Sequence, residues 1–218
     1  MLEKLPDALG HLLHGQRAGL EKILFNTLDL RAGTARIRLT SPAFKDHAPL
    51  PPRFTADGEG SSPPLDWDDI PVATKTLALI VEDADSPTPA PLVHAIAVDI
   101  DPLRKRLLEG ELQETNDGRN TALNLGRNSY LRQAWLPPDP PPGHGLHRYA
   151  FQLFALAEGE PFPDNPGRDA LAEAVRARAI ASGCIIGTYT RDRPIRISED
   201  ERASEAALAV PLAGEPAI

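Results

Sequence analysis

Cysteine is almost missing from this chain: one residue, Cys184, in 218. A lone cysteine excludes an intrachain disulfide, and with it the small secreted scaffold that disulfides staple together. Set between Gly183 and Ile185, Cys184 reads as inert packing. Aromatic residues are also scarce, at 5%, and both tryptophans, Trp67 and Trp135, read as core or pocket-wall residues. Basic residues are in deficit, with 23 Lys and Arg against 31 Asp and Glu and a net charge of -8. No basic run interrupts that acidity, which excludes a nucleic-acid backbone as partner. No apolar run approaches the ~18 residues of a transmembrane segment. Glu3, Lys4, Pro6 and Asp7 break any signal-peptide core, so a cytoplasmic location is expected.

Proline, by contrast, is abundant. The 23 prolines are about twice the usual ~5%. With 41% hydrophobic residues the chain is globular, so the prolines belong in ordered, extended loops rather than in disorder. Helical bundles tolerate so much proline poorly, and an all-helical fold is excluded. A chain of this length buries roughly 70% of its extended-state surface and needs neither disulfide nor metal to hold a core. No cofactor is expected.

Along the chain, three segments are expected: an N-terminal helical extension over 1–34, one domain over 35–197 and a C-terminal tail over 198–218. In the first, Leu2, Leu5, Leu9, Leu12 and Leu13, then Leu20, Ile23 and Leu24, recur at helical spacing. This predicts a helix packed on its own domain, with a membrane-surface anchor or a dimer arm as the functional alternatives. From Ala35 the period changes to two, with Ile37 and Leu39 alternating with Arg36 and Arg38, as in a half-buried strand. Further strands are expected from Leu77, over Leu92–Ile100, over His147–Ala157 and over Cys184–Tyr189, separated by proline-rich loops. Asn116-Asp117-Gly118 is a turn signal. One helix is expected late, capped by Asn165, with Pro166 in its first turn and Gly183 as its stop. The tail is alanine- and glutamate-rich.

Strand parity points to a site. Leu77, Leu79 and Val81 form one face, and Asp83 and Asp85 continue it. His94 shares parity with Leu92, Ile96, Val98 and Ile100, while His147 and Tyr149 share it with Phe151 and Leu153. An antiparallel pairing of the first two strands puts Asp83 and His94 at the same rim. Leaving such groups buried and unpaired costs about 1–3 kcal/mol each, so they should find one another or a ligand.

The same residues carry a family resemblance. Glu82-Asp83-Ala84-Asp85-Ser86-Pro87, His94 and Gly143-His144-Gly145-Leu146-His147-Arg148-Tyr149 resemble the signature blocks of the phosphatidylethanolamine-binding protein family, in its bacterial Raf-kinase-inhibitor-like branch. Thr40–Phe44, Phe54–Gly58, Ser62–Trp67 and Gly187–Arg191 extend the similarity over residues 35–192. The resemblance implies a mainly β fold, with a large antiparallel sheet packed on a smaller one and a C-terminal helix beside a small anion cavity. It implies that Asp83, His94, His147 and Tyr149 line that cavity, with Pro140 and Pro141 at its wall. Asp85 and Arg148 would form a supporting ion pair, and Trp135 and Pro137 would support the loop. The expected partner is a small phosphorylated or other anionic ligand, resembling a phospholipid head group, bound without catalysis.

One stretch departs from the family pattern. Ala134-Trp135-Leu136-Pro137-Pro138-Asp139-Pro140-Pro141 stands where Gly-Tyr-x-Gly-Pro-Cys-Pro-Pro is usual. Proline offers no N–H to a phosphate, and Asp139 is expected to repel an anion. The alternative function is a protein-interaction module that inhibits a kinase or a protease, with a homodimer built on the N-terminal segment as one arrangement. A metal-dependent enzyme would draw on His144, His147, Asp83 and His94. Against it, the three-residue spacing turns His144 away from His147, and no nucleophile motif such as Gly-x-Ser-x-Gly is present.

Overall fold

The structure, a computed structural model, describes residues 13, 15–27, 35–113 and 123–191. The leucines before Leu13, the Asn116–Gly118 turn signal and the C-terminal tail lie outside the described residues.

Among the described residues ten strands form two sheets. The larger has seven strands: β1 (Ala35–Arg36), β3 (Ala48–Pro49), β5 (Thr76–Asp83), β6 (Leu92–Ile100), β8 (Asn124–Gly126), β9 (His147–Leu156) and β10 (Ala179–Tyr189). Its backbone order is β1-β10-β9-β5-β6-β8, with β3 also on β10. The long central strands are antiparallel, as expected, but β1 and β3 both run parallel to β10. The smaller sheet is β2 (Arg38–Thr40), β4 (Leu65–Asp68) and β7 (Arg106–Leu107), all antiparallel.

The single strand expected from Ala35 therefore divides. Ala35 and Arg36 join the large sheet, Arg38–Thr40 join the small one, and Ile37 lies between with its N–H on the Ser182 carbonyl (2.9 Å). The crossing fits because Gly183 has no side chain: a Cβ there would lie 2.5 Å from the Ile37 carbonyl oxygen. Gly183 thus sits inside β10 rather than stopping a helix.

Both faces of the central strands are covered, which is why β5 reads as an unbroken apolar run. Leu77, Leu79, Val81, Phe151 and Leu153 pack toward the small sheet, against Ile37, Leu39, Leu65 and Trp67. Ala78, Ile80, Ile96, Val98 and Phe154 face the other way, onto Leu171 and Val175 of the helix Arg168–Arg178 and onto Leu24. That helix starts later than Asn165 predicts. Asn165 adopts a left-handed φ of 54°, Gly167 takes the N-cap position, and residues 179–183 belong to β10.

In the N-terminal segment Leu13 is helical, and two short helical turns follow, Leu20–Lys22 and Leu24–Thr27. A buried carboxylate ties them down. Glu82, fully buried on the helix side of β5, accepts from the Leu24 N–H (2.6 Å), from Gln152 Nε2 (2.9 Å) and from Arg168 Nε (2.6 Å). Gln152 in turn accepts from the Phe25 N–H (2.6 Å).

Candidate functional site

The site is built at the end of the large sheet where β5 finishes and β9 begins. Asp83 is paired with Tyr149 across these strands and with Leu92 of β6. His94 arrives by an irregularity. Val81 pairs with Ala95 and Glu82 with Val93, so His94 is the extra residue of a β-bulge. The bulge turns its ring to the Tyr149 side, 5.1 Å between centroids and edge-on. Simple parity had grouped His94 with Ile96 and Val98, which instead face the helix.

Asp83, His94, His147 and Tyr149 are all buried, and they fall into two sets. The first is a row of side chains bonded end to end. Asp83 Oδ2 lies 2.7 Å from His147 Nδ1, His147 Nε2 lies 2.6 Å from His144 Nδ1, and His144 Nε2 lies 2.8 Å from the Leu13 carbonyl and 3.2 Å from that of Gln16. His144 is therefore buried and turned toward His147, contrary to the three-residue spacing argument. That spacing assumed a continuing strand, whereas residues 142–144 turn, with the His144 N–H on the Pro141 carbonyl, and Gly143 and Gly145 both have positive φ. Burial and the nearby His147 hold the His144 pKa down. Asp83 Oδ1 accepts from the Asp85 N–H (2.8 Å). Both His147 nitrogens are thus engaged by protein groups.

The second set carries buried polar atoms with no hydrogen-bond partner: His94 Nε2, Tyr149 Oη and Trp135 Nε1. The Trp135 ring centroid lies 6.0 Å from that of His94. His94 is anchored through Nδ1, 2.6 Å from the Leu136 carbonyl. Burial pushes its pKa down; burial, with the charges of Asp83 and Asp139, pushes that of Tyr149 well up.

Around these sets the loops are held by ions. Arg148 grips Asp85 with Nε and Nη2, each at 2.7 Å, and Arg17 adds a third contact at 2.9 Å. Burial pushes the Asp85 carboxyl up, but the hydrogen bonds from Arg148 and Arg17 outweigh it and hold the group below its usual range. Asp139, expected to repel an anion, is matched by Arg191 (2.5 Å), which also bonds Asp57 (2.8 Å) and the Pro140 carbonyl (3.3 Å). Asp57 also accepts from the Tyr189 hydroxyl. Pro140 and Pro141 are buried in this loop, and the Pro141 carbonyl accepts from the His144 N–H (3.1 Å). Pro137 is half-buried, with Trp135, in the wall of an open groove of about 390 Å³ that Tyr130 and Arg132 also line. Asp83, His94, His147 and Tyr149 do not line that groove.

Sequence reasoning missed Arg17, Arg191 and the role of His144. For Arg191 a signal existed: Asp139 in a proline loop that cannot reach water freely needs a cation, and Gly187–Arg191 supplies one. Cys184 is half-buried in β10, and burial pushes its thiol up to about 12, far from a reactive thiolate. Among the described residues no three His, Cys, Asp or Glu side chains are grouped to hold a metal ion, and no helix is long and apolar enough to cross a membrane.

Two packed sheets, a helix on the outer face and a buried polar cluster where strand ends meet proline loops define a β-rich two-sheet fold. The family model described as phosphatidylethanolamine-binding protein matches residues 40–190. A UPF0098 protein of Aquifex aeolicus is 32% identical over 79% of this chain and 99% of its own, and one of Chlamydia muridarum is 35% identical over 72% of this chain and all of its own. The crystal structure of a phosphatidylethanolamine-binding protein homologue from Chlamydia trachomatis superposes with a TM-score of 0.64 at 31% identity, over 73% of this chain and 100% of that one. E. coli YbcL, described as a member of the mammalian family, also gives 0.64, at 27% identity over 72% of this chain and 99% of its own. The chain belongs to the phosphatidylethanolamine-binding protein family.

Proposed function

We propose that this protein is a non-catalytic binding protein whose pocket, at the β5/β9 end of the large sheet, takes a small anion of the phosphate type. The observation that carries this reading is three buried polar atoms without partners, His94 Nε2, Tyr149 Oη and Trp135 Nε1, on the His94 ring and the two rings beside it. Buried polar atoms are nearly always satisfied, so three without partners on adjoining rings favour a ligand whose polar groups pair with them. Arg191, which neutralises Asp139, removes the repulsion that the loop sequence suggested. His147 and Asp83 serve as the rigid backing of the pocket, their facing atoms already bonded to each other.

The test is calorimetric titration of the full chain with inorganic phosphate and with phosphoethanolamine, beside Tyr149→Phe. Saturable binding that weakens at least fivefold in the variant is expected. No heat at millimolar ligand, with the protein folded, overturns the reading.

A further inference from the structure

The N-terminal segment completes the histidine row. A turn, closed by the Gln16 N–H on the Leu13 carbonyl (2.8 Å), aims the Leu13 and Gln16 carbonyl oxygens at His144 Nε2, 2.8 and 3.2 Å away. Arg17 spans the backbone beside it. Its Nη1 lies 2.7 Å from the Leu146 carbonyl and 2.9 Å from Asp85, and its Nη2 lies 3.2 Å from the His144 carbonyl. The Ala18 N–H bonds the Ser86 carbonyl (3.0 Å). All of this precedes residues 40–190, which match the family model, so it is an addition to the common fold.

The segment has a loosely held part and a fixed part. Of Leu13 and residues 15–18 only Ala18 is buried, so polar contacts hold this stretch down. Beyond it Ile23 and Leu24 are buried, the Leu24 and Phe25 N–H groups bond Glu82 and Gln152, and Arg168 holds the Lys22 carbonyl (2.8 Å). Gly19 joins the two parts at a φ of 104°, which suits glycine alone. Stretches with little buried apolar surface open locally, ahead of the core.

Opening changes the number of protons the row needs. With the carbonyls in place His144 Nε2 must carry a proton, so the proton in the 2.6 Å gap to His144 Nδ1 comes from His147 Nε2. The 2.7 Å gap between His147 Nδ1 and Asp83 then needs a third, which two neutral imidazoles do not have. Without the carbonyls His144 can take its other tautomer and donate from Nδ1. His147 then donates from Nδ1 to the Asp83 carboxylate, and two protons serve both gaps.

We propose that Leu13 and residues 15–18 are a proton-linked flap, whose closure on His144 takes one proton from water into the Asp83–His147–His144 row and whose opening returns it. Through that charge the flap regulates the anion pocket, and this part rests on the pocket reading. Closed, the row carries a positive charge against Asp83. Open, it does not, and the carboxylate bears on His94 and Tyr149 with its full charge. An anion beside those rings therefore favours closure, and closure favours the anion.

Facing the row are Arg17 from the flap, His94 on β6, Tyr149 on β9, and Asp85 with Arg148. None of them competes for the proton. Burial holds His94 neutral and Tyr149 protonated, and Asp85, against burial, is kept ionised by Arg148 and Arg17. Burial, His147 and Arg17 hold the His144 pKa down, which leaves the added proton at the His147–Asp83 end. Because the closed row binds one proton more, closure weakens as pH rises above the ~6.5 of an ordinary imidazole, by up to about tenfold per unit.

Hydrogen exchange of the full chain, followed by NMR from pH 6.5 to pH 8 and corrected for the intrinsic rate, tests this at the Ala18 amide. Its protection is expected to fall about tenfold over that range while the Leu24 and Phe25 amides keep theirs. Arg17→Ala should lower Ala18 protection at least tenfold at every pH and leave the slope. Asp83→Asn, whose amide supplies the third proton permanently, should abolish the slope; the unmodified protein's series decides if that variant does not fold. Ala18 protection independent of pH, a slope that survives in Asp83→Asn, or exchange of Ala18 together with Leu24 overturns the flap. Millimolar inorganic phosphate at pH 7.5 should raise Ala18 protection at least threefold. Phosphate that binds by calorimetry without raising it overturns the regulation. Phosphate that does not bind overturns the pocket reading and the regulation with it, and the flap is then decided by the pH series, which needs no ligand.

Discussion

His147 and His144 face each other nitrogen to nitrogen, 2.6 Å apart, between a carboxylate at one end and main-chain carbonyls at the other. Both ends of this row can only accept. Its three gaps therefore need three protons, one more than two neutral imidazoles carry. His144 must donate through Nε2 to the Leu13 and Gln16 carbonyls and accept through Nδ1, so His147 donates through Nε2. The third proton then lies between His147 Nδ1 and Asp83 Oδ2.

Replacing Asp83 separates two effects of that proton. In Asp83→Asn the amide N–H can donate to His147 Nδ1, and the amide oxygen can still accept from the Asp85 N–H. Every bond of the row is then satisfied with one ionisable proton fewer. Stability within about 1 kcal/mol of the parent is expected, whereas Asp83→Ala, which strands two buried groups, should lose about 2–4 kcal/mol. Urea midpoints at pH 7 measure both. Equal losses in the two variants would refute this proton count.

Acid sensitivity should centre on Asp85. Its folded pKa is below the unfolded value of ~3.9, because the hydrogen bonds of Arg148 and Arg17 outweigh burial. Between the two values the unfolded state binds more protons, so the stabilisation is complete above ~3.9 and is lost as pH falls through the folded value. Asp85→Asn is expected to cost about 2–3 kcal/mol at pH 7, less than the ~3–5 of a fully buried pair because both arginines can turn to water. The gap to the parent should close as pH falls below the unfolded value and through the folded one. Thermal melts across pH 2–7 follow it; a gap independent of pH would assign the loss to packing alone.

Glu82 should control the N-terminal segment. Its carboxylate takes bonds from Leu24, Gln152 and Arg168. Glu82→Gln points an N–H at groups that only donate, and a loss of about 2–4 kcal/mol follows. Hydrogen exchange at the Leu24 and Phe25 amides should accelerate before that of β5 and β9. Uniform acceleration across the sheet would mean that the segment unfolds with the core and not ahead of it.

How much of this could be seen in the sequence depended on regularity. Alternation located Asp83, His147 and Tyr149 on one face, because β5 and β9 keep their period to the rim. It failed for His94, since a bulge of one residue reverses the face and leaves no trace in composition. His144 lies in a turn set by two glycines at positive φ, where no period applies. The helix boundary moved because Asn165 takes a left-handed φ and its Oδ1 caps nothing, so that Gly167 becomes the N-cap without a side-chain bond. Arg191 and Asp139 meet across 52 positions of sequence, and only folding brings them together. The family blocks pointed to the strand ends where these side chains meet, because they record residues, not periods.

Ile37 has a consequence for how the molecule holds together. One residue separates strands that belong to different sheets, and its N–H is bonded to β10 while its side chain is buried between the layers. Apolar surfaces alone can slide, but here a single peptide stitches the layers at fixed spacing over the gap that Gly183 leaves open. Parting the sheets means drawing that stitch out and breaking main-chain bonds on either side of it. A chain with one cysteine has, in this crossing, a covalent clasp made of backbone.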